Sequence, residues 1–337
     1  MRIPGFKQWA AAAILAAGAL TSSKAYAEIA EVRIAETFGI AFLQIQVMKH
    51  ENLIEKHAAK LGISDLKVTW QQFAGAGAVN DALLSGSVEF AAAGVPGFLV
   101  LHDRTRNLPN PVVGVSSFGS IPNLLNSNDP NVKSVRDFND THKIAVPSLK
   151  VSIQAILLQM AAAKEFGKEN FAKFDHLTVA MPAPESAAAL ASGVISASFS
   201  TPPFQNRQLE TPGVHTVTSS FEILDGPASL IILYSTEKVR SDNPKVFAAV
   251  LGAMEEATDF INADKRRAAE IYKTVSNDNT PTDELLKMIE DPDFIFTTTP
   301  HNVLKYAQFM HETGIIKNEV SSWQELFVPE VHHLSGG

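Results

Sequence analysis

The sequence contains no cysteine among its 337 residues, and this absence excludes several classes of function. No disulfide can form, no thiolate can act as a nucleophile, and no cysteine can ligate an iron–sulfur cluster. Charged residues make up only 19% of the chain and the net charge is −8. The basic patches that nucleic acids require are therefore not indicated.

The sequence also lacks complete catalytic and nucleotide-binding motifs. The segment Gly114-Val-Ser116-Ser-Phe118 begins like a nucleophile elbow but has no closing glycine. Gly75-Ala-Gly77 lacks the third glycine of a dinucleotide fingerprint, and neither a P-loop nor an H-E-x-x-H motif is present. We therefore expect no catalytic residue, no metal and no cofactor, and interpret the protein as a binder rather than an enzyme.

Residues 1–27 have the pattern of a secretory signal peptide. Arg2 and Lys7 precede the apolar run at residues 9–20, and Ala25-Tyr26-Ala27 places small residues where signal peptidase cuts. The apolar run is too short to span a bilayer, so we expect cleavage after Ala27; an uncleaved anchor is the alternative. Because no cysteine is available for lipidation, the mature chain is predicted to be free in a periplasm.

The segment 68–96 contains two candidate ligand loops. A strand at 68–72 leads into the glycine-rich turn 73–77, and a short helix with Gly86 at its C-terminal end leads into a buried strand at 88–93. The second loop is 94–96. In open α/β sheets, the loops beyond the carboxyl ends of strands line ligand crevices. Both loops are therefore predicted to lie at a binding site.

The end of this segment recurs later in the chain. Ala82-Leu83-x-Ser85-Gly86 matches Ala189-Leu190-x-Ser192-Gly193, an offset of 107 residues from 86 to 193. Chance coincidence in an alanine-rich chain is one explanation. The interpretation we adopt is that two similar α/β lobes each present a helix start and a strand-end loop to one shared cleft.

The remaining pattern predicts a discontinuous arrangement of these lobes. Strands are predicted at 31–36, 112–117, 143–146, 177–181 and 229–235, a surface loop at 123–131, and mainly helices from Pro244 onward. Lobe one would contain residues 28–117 plus 227–337, and lobe two residues 118–226, with hinges near Phe118 and Gly226. The alternative is two sequential domains divided near Asn128.

These residues resemble a known family. The run from Phe73 to Gly94, the Lys143-Ile-Ala-Val-Pro147 strand before a helix, and Ala188-Ala-Leu-x-Ser-Gly193 before Thr201-Pro-Pro203 look like periplasmic substrate-binding proteins of ABC importers. The nitrate, sulfonate and taurine type is the most similar subgroup, and proteins that bind pyrimidine precursors of thiamine are also similar. The resemblance implies an α/β type II fold of two lobes with a hinged ligand cleft. A fungal thiamine-pyrimidine synthase shares this fold, but the absence of cysteine and the export signal disfavour that interpretation.

The loops predicted to face the cleft supply the candidate ligand-binding residues. They are Phe38, Gly39, Phe73, Gly75, Ala76, Gly77, Gly94, Val95, Ser117, Phe118, Lys150, Val151, Ser152, Glu185, Thr201 and Pro202. Helix N-termini near Gly77 and Val151 would direct free N–H groups at the ligand, which suits an anionic head group.

Several of these residues have two possible roles. Lys150 would be a direct counter-charge or a solvated surface lysine, and Ser152 would donate to the ligand or cap a helix. Glu185 would pair with an amine, as in taurine, or face solvent. Phe38, Phe73, Phe118 and Phe204 together suggest a ligand with an apolar or aromatic body rather than bare nitrate.

The sequence and this resemblance together predict a periplasmic solute-binding protein that closes on a small organic anion, either a sulfonate or an aromatic or aliphatic carboxylate. Its partners would be this small-molecule ligand and the transmembrane subunits of an ABC permease, with no nucleic acid, and we expect a monomer. A neutral pyrimidine or other heterocycle is the alternative ligand. An enzyme on the same fold and a protein that reports to a sensor are further alternatives.

Overall fold

The computed structural model describes residues 28–337, so the predicted signal peptide lies outside the described residues. Within this range the chain forms ten strands, which are β1 (Glu31–Glu36), β2 (Lys67–Gln72), β3 (Phe90–Gly94), β4 (Val112–Ser117), β5 (Leu124–Ser127), β6 (Ile144–Val146), β7 (Thr178–Ala180), β8 (Ala197–Ser200), β9 (His215–Ser219) and β10 (Ile231–Thr236). The alternating pattern at 31–36 and the apolar run at 112–117 form the strands that they predict.

The same residues form thirteen α-helices. They are α1 (Leu43–Glu51), α2 (Leu53–Lys60), α3 (Ala76–Leu84), α4 (Val95–Thr105), α5 (Ile153–Phe166), α6 (Ala183–Ala191), α7 (Phe204–Leu209), α8 (Ser220–Leu224), α9 (Glu237–Asp242), α10 (Pro244–Ala263), α11 (Lys265–Val275), α12 (Thr282–Glu290) and α13 (Val303–Glu312). No helix among residues 28–337 has the length and apolar character needed to cross a membrane.

The strands form two five-stranded sheets of matching design. The first has the order β2-β1-β3-β10-β4 and the second the order β7-β6-β8-β5-β9. The first three strands of each sheet are parallel, and the fourth is antiparallel to both of its neighbours. The fold is therefore α/β with two lobes, as predicted. We call the lobe around the first sheet the first lobe and the other the second lobe.

The internal repeat predicted from the sequence corresponds to equivalent structure in the two lobes. Helix α3 begins at Ala76 and α6 at Ala183, again 107 residues apart. Both helices are followed by a glycine in the left-handed region, with φ of +71° at Gly86 and +75° at Gly193. Residues with a side chain rarely adopt this backbone conformation, which explains why a glycine occupies the same position in both copies.

The two chain crossings between the lobes lie side by side. Leu230 N donates to Gly119 O at 2.9 Å, and Phe118 N donates to Ile231 O at 3.1 Å. A segment of the C-terminal region packs beside the first crossing, where Ser120 and Ile295 form an antiparallel bridge. Gly119 has a φ of +106°, and a Cβ there would lie 1.8 Å from Ile295 O. Only glycine therefore fits at this crossing.

The segment 123–131, predicted as a surface loop, instead contains the buried strand β5. Asn126 and Ser127 are fully buried. Asn126 Nδ2 donates to Gln205 O and to Gln208 Oε1, both at 3.0 Å. The loop prediction was wrong because these partners satisfy polar side chains that composition alone assigns to solvent.

The C-terminal helices pack against the outside of the first lobe. Helix α10 contacts both α1 and α2, and α11 contacts α1. The apolar residues of α10 are buried at helical spacing, including Val246, Val250 and Met254. The last third of the chain thus covers the first lobe rather than forming a further sheet.

Candidate ligand-binding site

A cavity of about 40 Å³ lies between the two sheets. It is lined by residues at or just beyond the carboxyl ends of all six parallel strands, namely β1, β2 and β3 of the first lobe and β6, β7 and β8 of the second. Asn123, Leu230 and Ile231, at the two chain crossings, complete the lining. Ligands of open α/β sheets bind at this end of the strands, so the cavity is the candidate site.

The cavity is small for a ligand site. Pockets for drug-sized ligands have volumes of about 300–1,000 Å³, whereas one water needs about 10–15 Å³. The 40 Å³ here therefore accommodates a few atoms with the lobes in this position.

Three helices begin at the cavity, two from the second lobe and one from the first. Their first residues, Ala76 of α3, Ile153 of α5 and Ala183 of α6, all line it. No side chain caps α3 or α6. The N–H groups in the first turn of a helix have no partner within the helix and carry a partial positive charge. The convergence of three N-termini therefore favours an anion or a hydrogen-bond acceptor.

Ser152 caps the third of these helices. Its Oγ accepts from Ala155 N at 3.3 Å and donates to Ser148 O at 2.7 Å. The hydroxyl is thus occupied within the second lobe, which agrees with the capping role.

Two buried polar side chains in the lining have atoms without hydrogen-bond partners. Asn123 has 0% exposure and neither its Nδ2 nor its Oδ1 is paired; Thr201 is 6% exposed and its Oγ1 is unpaired. Buried polar groups are normally paired, because leaving one unpaired costs about 1–3 kcal/mol. These two side chains are therefore the strongest candidates for direct ligand contacts.

No charged side chain belongs to the lining among residues 28–337. A buried ion pair lies nearby, where Glu36 at the end of β1 contacts Lys49 and accepts from Gln46 Nε2 at 3.0 Å. Burial raises the pKa of the Glu36 carboxyl, and the Lys49 ammonium opposes this rise. The groups that face the cavity directly are thus backbone dipoles and uncharged side chains.

The lobes touch each other around the cavity. Ile40 N of the first lobe donates to Pro202 O of the second at 3.0 Å. A Cβ placed at Gly94 would lie 2.9 Å from Ile153 Cβ, and one at Gly39 would lie 2.8 Å from Thr201 Cγ2. The structure therefore shows the lobes in a closed arrangement.

The structure places the predicted site residues in three groups. Six line the cavity, namely Phe38, Gly75, Ala76, Gly94, Ser152 and Thr201. Gly39 and Pro202 take part in the contact between lobes. The other eight lie outside the lining, namely Phe73, Gly77, Val95, Ser117, Phe118, Lys150, Val151 and Glu185.

The two charged candidates face solvent. Lys150 is exposed and has a φ of +63°, and Glu185 is exposed in the first turn of α6. Ser117 is fully buried at the chain crossing, where its Oγ bonds Ser229 Oγ at 2.9 Å. These three side chains have solvent or protein partners in this arrangement.

The four phenylalanines do not gather around the cavity. Phe38 lines it, whereas Phe118 packs edge-on against Phe42 with ring centroids 6.0 Å apart. Phe204 is buried beneath the Arg207 guanidinium, and Phe73 packs against the core. Of the four phenylalanines that suggested an apolar ligand body, only Phe38 therefore supports that inference, although Phe42, which was not among them, also lines the cavity.

Sequence reasoning missed three polar or backbone contributors to the site. Asn123, Gln154 and the start of α6 at Ala183 line the cavity. Gln154 and Ala183 lie at helix starts after strands, so the loop argument could have found them. Asn123 had no such signal, because its burial depends on residues distant in the sequence.

Comparison with known proteins agrees with this architecture. Residues 26–276 match the family model described as the NMT1-like family. No curated protein matches the sequence.

The alkanesulfonate-binding protein SsuA of Xanthomonas axonopodis pv. citri, bound to MOPS, is 16% identical with a TM-score of 0.70, over 87% of this chain and 96% of that one. The aliphatic sulphonate-binding protein SsuA of Escherichia coli is 17% identical with a TM-score of 0.62, over 89% and 99%. The nitrate-binding protein NrtA of Synechocystis PCC 6803 is 13% identical with a TM-score of 0.68, over 89% and 84%. At these identities the likeness establishes the periplasmic-binding-protein fold.

Proposed function

This chain belongs to the NMT1-like family, and from that premise we propose that it is the solute-binding protein of an ABC-type importer. Its two lobes close on a small anion, either a sulfonate or a carboxylate. The observation that carries the proposal is the cavity between the lobes, at which three helix N-termini converge beside the unpaired side chains of Asn123 and Thr201. Such N-termini favour oxyanions without needing a charged side chain.

The size of the cavity limits what the closed protein can enclose. A volume of about 40 Å³ suits a compact head group, and a longer ligand would hold the lobes further apart. Because only one of the four phenylalanines lines the cavity, the argument against small inorganic oxyanions is weakened. Nitrate and bicarbonate therefore belong among the ligands to be tested.

The proposed mechanism is closure about the two crossings near Phe118 and Gly226, with residues 28–117 plus 227–337 moving against residues 118–226. A ligand shifts this equilibrium only by binding the closed state more tightly than the open one. Contacts from both lobes to one ligand supply that preference. The closed form would then be the one that the permease binds.

A neutral heterocycle is a second candidate ligand. The uncharged lining and the presence of Phe38 favour it, because an aromatic ring can stack on Phe38. It would require no counter-charge, and its affinity would depend little on ionic strength.

A thermal-shift screen tests the function. The protein from residue 28 onward would be unfolded and refolded to remove carried-over ligand, then heated with sulfonates, carboxylates, nitrate, bicarbonate and thiamine pyrimidines. A ligand at a hundred times its Kd stabilises by about 2.7 kcal/mol. A rise in melting temperature confined to anions supports the proposal, and a rise with pyrimidines alone selects the neutral ligand. If no compound of the panel raises the melting temperature, both proposals lose their support.

Two further measurements test the cellular and chemical parts of the proposal. The protein is proposed to be periplasmic, and cell fractionation with N-terminal sequencing would show cleavage after Ala27. It is proposed to have no catalytic activity, and a hit from the screen should be recovered chemically unchanged. A cytoplasmic full-length product, or conversion of the bound compound, would contradict these parts.

A further inference from the structure

The buried side chain of Asn123 indicates which hydrogen-bonding groups the ligand has in addition to its negative charge. Resting on the proposed function, we infer that the ligand presents an N–H or O–H donor in addition to its anionic group, and that the Asn123 amide is the residue that selects for this donor. The ligand class is thus a compact hydroxylated or N–H-bearing organic anion.

The position of Asn123 is held firmly by its backbone. Its N–H donates to Ser220 Oγ at 3.0 Å, and its carbonyl accepts from Ser220 N at 2.8 Å. The side chain is fully buried and lines the cavity, yet neither amide atom has a partner. Two backbone bonds therefore fix an amide whose own hydrogen-bonding capacity is unused.

The chemistry of an amide makes this capacity specific. One end donates through the NH₂ group and the other accepts through the carbonyl oxygen, whichever way the group is turned. A ligand that satisfies both ends must itself offer an acceptor and a donor. A ligand with acceptors alone leaves the carbonyl of Asn123 buried and unpaired, which costs about 1–3 kcal/mol.

The other polar groups at the cavity can each be satisfied by an anion that only accepts hydrogen bonds. The buried, unpaired Thr201 hydroxyl can donate to such an anion, whereas the carbonyl end of the Asn123 amide can only accept. The N-termini of α3, α5 and α6 donate and cannot accept. The Ser152 hydroxyl is engaged with Ser148 O and Ala155 N. The Asn123 amide, 0% exposed and unpaired, therefore complements the donors at the helix N-termini.

The test uses matched pairs of ligands that differ by one hydroxyl. Glycolate is compared with acetate, and 2-hydroxyethanesulfonate with ethanesulfonate, by isothermal titration calorimetry on the refolded protein. We expect the hydroxylated member of at least one pair to bind the wild type at least tenfold more tightly. In Asn123→Ala this preference should fall to less than threefold, with a thermal melt in the absence of ligand confirming that the variant folds.

The outcomes distinguish this inference from the proposed function. Equal binding of both members of each pair would overturn the inference, because water would then satisfy Asn123, and would leave the anion-binding function intact. A preference that persists in Asn123→Ala would assign the selection to another residue and also overturn it. If Asn123→Ala does not fold, the ratio within each pair on the wild type still decides whether the site prefers a ligand with a donor, and Asn123→Ser takes the place of the alanine variant for the assignment to this residue. Failure of all four probes to bind would overturn the inference of a compact hydroxylated anion, and the thermal-shift screen with the wider panel would then decide the anion-binding function separately.

Discussion

Gly75 of the first lobe lies directly against Ser148 of the second. A Cβ at Gly75 would be 2.3 Å from Ser148 Oγ and 2.7 Å from Pro147 O, both far inside van der Waals contact. Gly75 itself has an extended backbone, with a φ of −179°, so any residue could occupy the position within its own lobe. The requirement for glycine therefore comes from the opposite lobe and from closure.

Gly75→Ala should accordingly block full closure without harming the fold. We expect ligand affinity to fall at least tenfold, about 1.4 kcal/mol, while the free energy of unfolding stays within about 0.5 kcal/mol of the wild type. Calorimetry with the best ligand of the screen and urea denaturation measure the two quantities. The matched control is Gly77→Ala, two residues later, where the nearest atom to a new Cβ would be 3.9 Å away. Wild-type affinity in Gly75→Ala would show that closure is not needed for binding.

Thr201→Val should separate binding from stability. The Thr201 Oγ1 is buried and unpaired without ligand, so its removal should leave the unfolding free energy unchanged or higher, while affinity falls about fivefold through one lost hydrogen bond of about 1 kcal/mol. Thr258→Val provides the opposite pattern, because Thr258 Oγ1 donates to Met254 O at 2.8 Å in α10. That control should lose stability and keep its affinity. Equal affinity in Thr201→Val and the wild type would remove Thr201 from the site.

Lys150→Ala tests the counter-charge suggested by the sequence. Because Lys150 is exposed and outside the cavity lining, solvent and salt screen its charge. We expect Kd to change by less than about twofold at physiological salt. Calorimetry beside Thr201→Val measures this, and a tenfold loss of affinity would restore Lys150 as a direct ligand contact.

Arg207 and Asp278 form an ion pair between the lobes, away from the cavity. Arg207 lies on α7 of the second lobe and also donates to Thr280 Oγ1 at 2.6 Å, next to the nearly buried Asp278 carboxylate. Arg207→Ala should favour the open state and weaken ligand binding about two- to fivefold, corresponding to about 0.4–1 kcal/mol for a partly exposed pair. The exposed pair between Arg267 and Glu270 lies within one helix, so Arg267→Ala should leave Kd unchanged. An equal effect of the two variants would argue against a role for the interlobe pair in closure.

His102 should make the first lobe sensitive to mild acid. Burial lowers the pKa of its imidazole below the ordinary 6.5. The hydrogen bond to the Val112 carbonyl opposes this shift, the Arg106 guanidinium adds to it, and the Asp103 and Glu325 carboxylates oppose it. Because the unfolded chain binds the proton more readily, stability is retained above pH 6.5 and lost as pH falls towards the folded pKa.

Between pH 6.5 and 5.5, the wild type should lose up to about 1 kcal/mol more than His102→Gln, because the unfolded chain is already half protonated at pH 6.5. Urea unfolding at both pH values measures the difference, with the exposed His333→Gln as control. Parallel pH profiles for the wild type and His102→Gln would contradict the assignment.

Local periodicity was sufficient for much of the fold. The strand predicted at 31–36 is β1, and the repeat of Leu83-x-Ser85-Gly86 produces equivalent helix ends in both lobes. These features depend on residues that are neighbours in the chain, where side-chain alternation and glycine conformation act directly. Strand β9 and the short helices α7 and α8 were not predicted, because their positions depend on elements distant in the chain: α7 and β9 contact β5, and α8 contacts α5.

The binding site was only partly accessible to the same reasoning. Loops after strands identified Phe38, Gly75 and Thr201, since the carboxyl ends of parallel strands meet at one edge of a sheet. Asn123 was assigned to a solvent-facing loop, and Lys150 was favoured because it is charged and near a helix start. Their actual exposures are opposite to those expectations.

The sequence by itself determined the two-lobed α/β design, because it is encoded in short-range patterns of apolar residues and glycines that repeat along the chain. Tertiary structure alone decided which polar groups lose their contact with water. The position of Asn123 is fixed by Ser220, 97 residues away, and its buried side chain shares the cavity lining with Leu230 at the other crossing. Gly75 is indispensable because Ser148 belongs to a different lobe. Burial and closure depend on residues brought together by folding, and a linear pattern does not contain those distances.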